Sequence, residues 1–193
     1  MTAPERPLRA DARRNRDRLV AVATSAFAAT DATVPLEDIA REAGVGIGTL
    51  YRHFPTREAL VEAVYATELD EIARSAAVLL EQLPPDAALR AWMGRYAQFV
   101  ELKRGLADIL RAGWAAGRIA TSTTRERVTG AIATILTAGA ESGVFRADTD
   151  PDDITALLLG AFLSTAHNSS TDQIERLLDL VLDALRPRPT AEP

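Results

Sequence analysis

The sequence predicts an all-helical protein: an N-terminal three-helix helix-turn-helix unit joined by one long helix to a larger helical C-terminal domain. Three observations carry this prediction. Apolar residues recur at steps of three and four in one segment after another. Within residues 36–54, LEDIAREAGVGIGTLYRHF, the residues Leu36, Ile39, Ala40, Ala43, Val45, Leu50 and Phe54 hold helical spacing on both sides of Gly44, a residue able to take the left-handed backbone that ends one helix and turns into the next. Pro84 and Pro85 then break the chain after a long periodic stretch. The expected division is residues 1–56 for the first domain and residues 57–193 for the second.

The chain opens on Arg6, Arg9, Arg13, Arg14, Arg16 and Arg18. Such an arm either neutralises phosphates or is a solvated, frayed end, and Arg13 and Arg14 lie nearest the folded part. A first helix over residues 15–29 carries Leu19, Val22, Ala23, Ala26 and Phe27 on one face and braces the two short helices that follow. Pro35 suits a helix start, and Glu37 and Asp38 sit at the favourable end of its dipole. The second short helix, Ile47 to His53, points outward. Gly46 and Gly48 cost it about 1 kcal/mol each relative to Ala, which core packing does not explain and close approach to another backbone does. Thr49, Tyr51, Arg52 and His53 add donors at successive angles, and the helix start offers free N–H groups suited to a phosphate. Those are the parts of an element that reads duplex DNA.

Residues 15–65 closely resemble the N-terminal domain of the TetR-type transcriptional regulators. The resemblance rests on the run IAREAGVGIGTLYRHFPTREAL, Ile39 to Leu60, together with Phe27, which fixes glycine, aromatic and apolar positions jointly. Beyond it, the chain is similar only in length and helical character. Two positions depart from the family pattern: Gly46 stands where Ser often caps the recognition helix, and Lys is common near Ile47 or Gly48. The resemblance implies a homodimeric regulator, most often a repressor, whose two recognition helices enter successive major grooves of a palindromic operator in double-stranded DNA. It implies base-edge contacts by Thr49 and Arg52, close approach at Gly48 beside Ile47, and phosphate contacts by Tyr51, His53 and Arg57. His53 otherwise packs under the turn, the Tyr51 ring otherwise joins the three-helix core, and Arg57 otherwise pairs with Glu58 or Glu62.

Pro55 stops the recognition helix, and Thr56 caps a long helix of about 26 residues that runs past Leu79. Beyond the two prolines, Trp92, Tyr96 and Phe99 share one helical face beside Met93, and Trp114 follows in the next segment. Such rings are either plain core or the lining of an apolar cavity; the resemblance favours a cavity for a small, largely apolar effector, with His167 as a further candidate contact. Thr123 and Glu126 have capping-box spacing, and Gly139 leaves room for a neighbouring helix before the break at Ser142-Gly143. Asp148, Asp150, Asp152 and Asp153 lack the ligand spacing of a calcium loop and read instead as a helix start with Asp150 as cap and Pro151 first in the helix. The next helix carries Ile154, Leu157, Leu158, Ala161 and Phe162, with Leu159 and Leu163 widening its apolar surface, and ends at His167 and Asn168. The last, after Ser170, carries Ile174, Leu177, Leu178, Val181, Leu182 and Leu185. A helix apolar on two sides needs two partners. Either both helices close the monomer's own core, or Leu159, Leu163, Ile174, Leu178, Val181, Leu182 and Leu185 form a four-helix dimer interface, which the resemblance favours.

Composition narrows the function classes. The chain has no Cys, which removes disulfides, thiolate catalysis and Cys metal sites, and fits a cytoplasmic location. No stretch reaches the roughly 18 apolar residues of a membrane span. Only two His occur, His53 and His167, and no catalytic constellation, cofactor motif or metal motif assembles around them, so no enzyme activity and no cofactor are expected. The net charge of −5 divides unevenly: residues 1–57 hold 9 Arg against 7 Asp and Glu, a net of +2, and residues 58–193 carry −7. Total charge therefore does not exclude a DNA-facing edge, because a Debye length of about 8 Å screens the acidic remainder.

Overall fold

A computed structural model describes residues 5–30, 33–117, 119, 121–165 and 171–187. Every regular element among them is an α-helix. His167, Asn168 and Ser170 lie outside the described residues.

Helix α1, Glu5–Thr30, begins well before residue 15. The basic arm is therefore helical, because Arg, Ala and Leu are good helix formers and local pairs support it: Arg14 bonds Asp11, and Arg18 bonds Asn15, each one turn back. Its inner face buries Leu19, Val20, Ala23 and Phe27. Helix α2, Leu36–Glu42, packs Leu36, Ile39 and Ala40 inward and starts after Pro35, whose carbonyl accepts from Asp38 and Ile39. Gly44 at φ 67° ends it, with its own N–H on the Arg41 carbonyl and the Val45 N–H on that of Ala40. This closing pair of bonds requires the left-handed residue that only glycine adopts cheaply. Helix α3, Ile47–His53, buries Leu50 and ends at buried Phe54. The three helices touch pairwise and enclose one small core.

Helix α4, Arg57–Leu80, opens under the Thr56 hydroxyl, which accepts the Ala59 N–H at 3.2 Å, and its 24 residues extend about 36 Å. Helices α5, Pro85–Gly105, and α6, Ala107–Ala115, meet at a corner on Leu106. Helix α7, Thr121–Glu141, starts two residues before Thr123, so that residue lies in the first turn and not at the cap. Gly143 at φ 72° ends α7. The close neighbour at Gly139 is not another helix but Phe145, folded back over the same turn: a Cβ at 139 would overlap its ring. Helix α8, Pro151–Ser164, is capped by Asp150, whose carboxylate accepts the Asp152 N–H at 2.9 Å, as its spacing predicts. Helix α9, Thr171–Ala184, packs on α8, and α8 on α7.

Contacts divide the chain into two compact units. The first holds residues 1–68 and 101–120; the second holds residues 69–100 and 121–193. Helices α4 and α5 each pass from one unit to the other, so packing does not follow a single cut after residue 56.

Candidate nucleic-acid interface and ligand region

The outer face of α3 is set by what its inner face must bury. With Leu50 and Phe54 fixed in the three-helix core, the residues left facing out are Ile47, Gly48, Tyr51 and Arg52, spaced by four and one along a single stripe. Thr49 and His53 are half-buried along its borders. The Tyr51 ring is 45% exposed, which removes it from the core. His53 lies tilted against Phe54, ring centres 6.3 Å apart. A Cβ built at Gly46 or Gly48 meets nothing within 4 Å, so neither glycine is demanded by packing inside the chain. Gly46 gives α3 no side-chain cap, while its carbonyl accepts the Thr49 N–H at 2.8 Å, so the amides of Ile47 and Gly48 are the ones left for solvent or an anion.

Four arginines of α1 and α4 belong to the same compact unit as this stripe. Arg16 sits over the Phe54 ring at 5.4 Å, a cation–π contact tying α1 to the end of α3. Arg57, half-buried, donates to the Val34 carbonyl at 2.6 Å and fixes the first turn of α4 to the segment entering α2. Arg13 and Arg14 are exposed on α1, both between one and two turns before the buried Leu19 and Val20.

In the second unit, Trp92, Tyr96 and Phe99 form one ladder. Trp92 stacks on Tyr96 with centres 5.3 Å apart, Tyr96 on Phe99 at 6.2 Å, and Phe162 of α8 meets Tyr96 edge-on at 5.6 Å. Trp92 donates its indole N–H to the Ile72 carbonyl at 3.0 Å, and Met93 is fully buried beside it. Trp114 belongs to α6, in the first unit. Lys103 lies over its ring at 5.2 Å. The Trp114 indole nitrogen is buried with no hydrogen-bond partner, an arrangement that costs about 1–3 kcal/mol when left unmatched. Burial pushes the Lys103 ammonium below its ordinary value of 10.5. Its apolar surroundings were not visible in a sequence where Lys103 stands between Leu102 and Arg104.

Among the seven residues expected at a dimer interface, two are corrected. Leu178 and Leu185 are each 1% exposed and belong to the protomer's own core, because α9 turns them toward its neighbours. Ile174, Val181 and Leu182 are half-buried. Leu159 and Leu163 are exposed, and Leu157 and Leu180 join them at 55% and 62%. On the flank of α9, Arg90 of α5 bonds Glu175 and reaches Asp179 at 2.7 Å; burial opposes its charge, and the two carboxylates more than restore it. A groove of about 250 Å³ beside this cluster is lined by Asp86, Arg90, Phe145, Leu182 and Arg186. Among the described residues no group of His, Asp and Glu is placed to hold a metal ion, and no helix is long and apolar enough to cross a membrane.

Comparison with known proteins gives two family matches. The model of bacterial regulatory proteins of the tetR family matches residues 19–64, and that of the transcriptional regulator SbtR-like C-terminal domain matches residues 84–187. A TetR transcriptional regulator from Streptomyces coelicolor is 45% identical, with a TM-score of 0.80 over 89% of this chain and 98% of that one. A TetR transcription regulatory protein from Mycobacterium vanbaalenii is 36% identical, with a TM-score of 0.73 over 94% and 100%. A transcriptional regulator from Cytophaga hutchinsonii shares the fold at 16% identity, TM-score 0.66, over 88% and 97%. No curated protein matches.

Proposed function

The chain belongs to the TetR family of bacterial regulatory proteins, and on that premise we propose that it is a repressor that binds a palindromic operator as a homodimer and is released by a small, largely apolar effector. A DNA-binding role in transcription follows from the family itself. The observation that supports our reading of the contacts is the outer stripe of α3. Two glycines that the core does not need keep its surface low, beside Arg52, Tyr51 and uncapped amides.

In this reading Thr49 and Arg52 meet base edges, with Arg52 able to take a guanine in bidentate fashion. Gly48 and Ile47 allow the approach; Tyr51, His53, Arg57 and the α1 residues Arg13 and Arg14 meet phosphates. Arg57 would do so while clamped to Val34, so that a phosphate contact and the position of α4 are fixed together. Paired half-sites one turn apart place the two recognition helices about 34–36 Å apart. Residues 1–56, together with Arg57 just past their end, carry the DNA contacts in this scheme, and the rest of residues 57–193 carries dimerisation and the effector. The effector acts by binding better to the protein in which the two heads do not match the operator, and weakens DNA affinity by that difference.

A second reading keeps the DNA-binding dimer and drops the effector. It is favoured by the Trp92–Tyr96–Phe99 ladder, whose stacked rings and satisfied Trp92 N–H behave as finished core.

The test is retention of a randomised duplex library on the purified protein at two salt concentrations, followed by sequencing. The expected outcome is a palindrome whose recovery falls steeply with salt. Weak, salt-erased retention without a consensus refutes the operator reading.

A further inference from the structure

Two donors at the α5–α6 corner lack the acceptor that their surroundings call for. The Trp114 indole N–H is buried and unbonded, whereas the chain's other indole, Trp92, is satisfied by a carbonyl. Lys103 holds its ammonium 5.2 Å above the centre of the same Trp114 ring, and among the described residues no carboxylate pairs with it. Its own neighbours show that this corner does not lack acids in general: Arg104, next in sequence, is bonded to Glu101. On the same stretch of chain Leu106 and Leu110 are buried, and Ile119 lies against Gly113.

We propose that Lys103 and Trp114 form the subsite for the carboxylate of an organic-acid effector, its apolar body lying along the α5–α6 corner. The proposal rests on the reading above that the protein responds to a ligand, and it names the class. An oxygen acceptor bearing negative charge satisfies both donors at once. An amine would set a cation beside a cation, and a purely apolar molecule would leave the buried Trp114 N–H unmatched and cover the half-buried Lys103 ammonium without pairing it. The lowered proton affinity of Lys103 agrees with a site that an anion completes.

The position also gives a bound acid something to act on. Gly113, adjacent to Trp114, lies so close to α4 that a Cβ there would stand 3.0 Å from the Glu62 carboxylate. Glu62 is five residues along α4 from Arg57, the residue clamped to Val34. All of these residues belong to the compact unit that contains α3. A ligand that shifts α6 by a few tenths of an ångström therefore presses on the helix whose first turn is fixed to the reading head.

The experiment uses the full chain and its Lys103→Gln, Lys103→Arg and Trp114→Phe variants, each checked for its thermal midpoint. Octanoate, decanoate and 4-phenylbutyrate are titrated calorimetrically, each beside its primary amide. The expected result is binding of at least one acid, with its amide weaker by about ten-fold or more. Lys103→Gln should lose about ten-fold or more while Lys103→Arg stays within about three-fold of the wild type, and Trp114→Phe should lose several-fold. No binding by any of the acids, or equal binding by wild type and Lys103→Gln, overturns the proposal. Operator release is followed separately. An acid bound through Lys103 that leaves DNA affinity unchanged sustains the subsite and removes the effector reading. Release by an uncharged compound, with no acid bound, does the reverse.

Discussion

Gly139 shows how much one hydrogen can decide. It lies in the last turn of α7, and the Phe145 ring occupies the space that any side chain would need. Gly139→Ala should destabilise the protein by about 1–3 kcal/mol through overpacking, since the ring must move from its place in the core; a denaturant midpoint unchanged from wild type would contradict this. Lys103 makes the opposite kind of prediction. Its folded-state proton affinity is lowered by burial, so between that lowered value and 10.5 the unfolded chain binds more protons than the folded one, and stability rises with pH through this window. Below the window the burial cost is present in full. Lys103→Met should therefore raise the thermal midpoint at pH 7, and its advantage should shrink as pH approaches 10.5. An advantage that grows with pH would be the wrong sign. Residues of this kind were poorly legible in the sequence. The Arg57–Val34 clamp spans 23 positions, and the Phe145 ring over Gly139 depends on how the chain folds back after Gly143.

Elements were more legible, because their ends are fixed by local chemistry. The bounds of α3, Ile47 and His53, are those that glycine and proline punctuation predicts. The start of α8 follows from Asp150 and Pro151 alone, and Asp150→Ala should cost about 1 kcal/mol, read as a lowered midpoint with unchanged helix content at low temperature. Equal stability would mean that Pro151 and the dipole-favouring Asp152 and Asp153 suffice. Where the reading of elements failed, polarity had been weighed above propensity. The segment before residue 15 looks like a solvated arm by its charges, yet its Arg, Ala and Leu residues continue α1. On α9 the fault was different: Leu178 and Leu185 share the apolar stripe of Ile174 and Val181, and only packing shows that those two face inward.

For the whole molecule, the exposed leucines of α8 and α9 are the clearest unspent apolar surface. Leu157 and Leu163 of α8 and Leu180 of α9 are each more than half exposed, and exposed apolar surface gathered into one patch marks an interaction site. If these helices form the isologous interface, each substitution acts twice, once from each protomer. Leu163→Arg should then yield a monomer in size-exclusion chromatography with light scattering, and weaken operator binding by about a hundredfold or more through loss of the second head. A dimer that persists would place the interface elsewhere.

The first compact unit is discontinuous along the chain, and this has a consequence in time. Residues 1–68 and 101–120 belong together, with residues 69–100 between them in sequence. On a ribosome adding about 5–20 residues per second, residues 69–120 take about 3–10 s to appear. For those seconds the nascent α4 emerges without the α6 segment that later lies against Glu62. The unit that holds the recognition helix is thus begun first but completed late, and a chain released before residue 120 would carry α3 on an unfinished support.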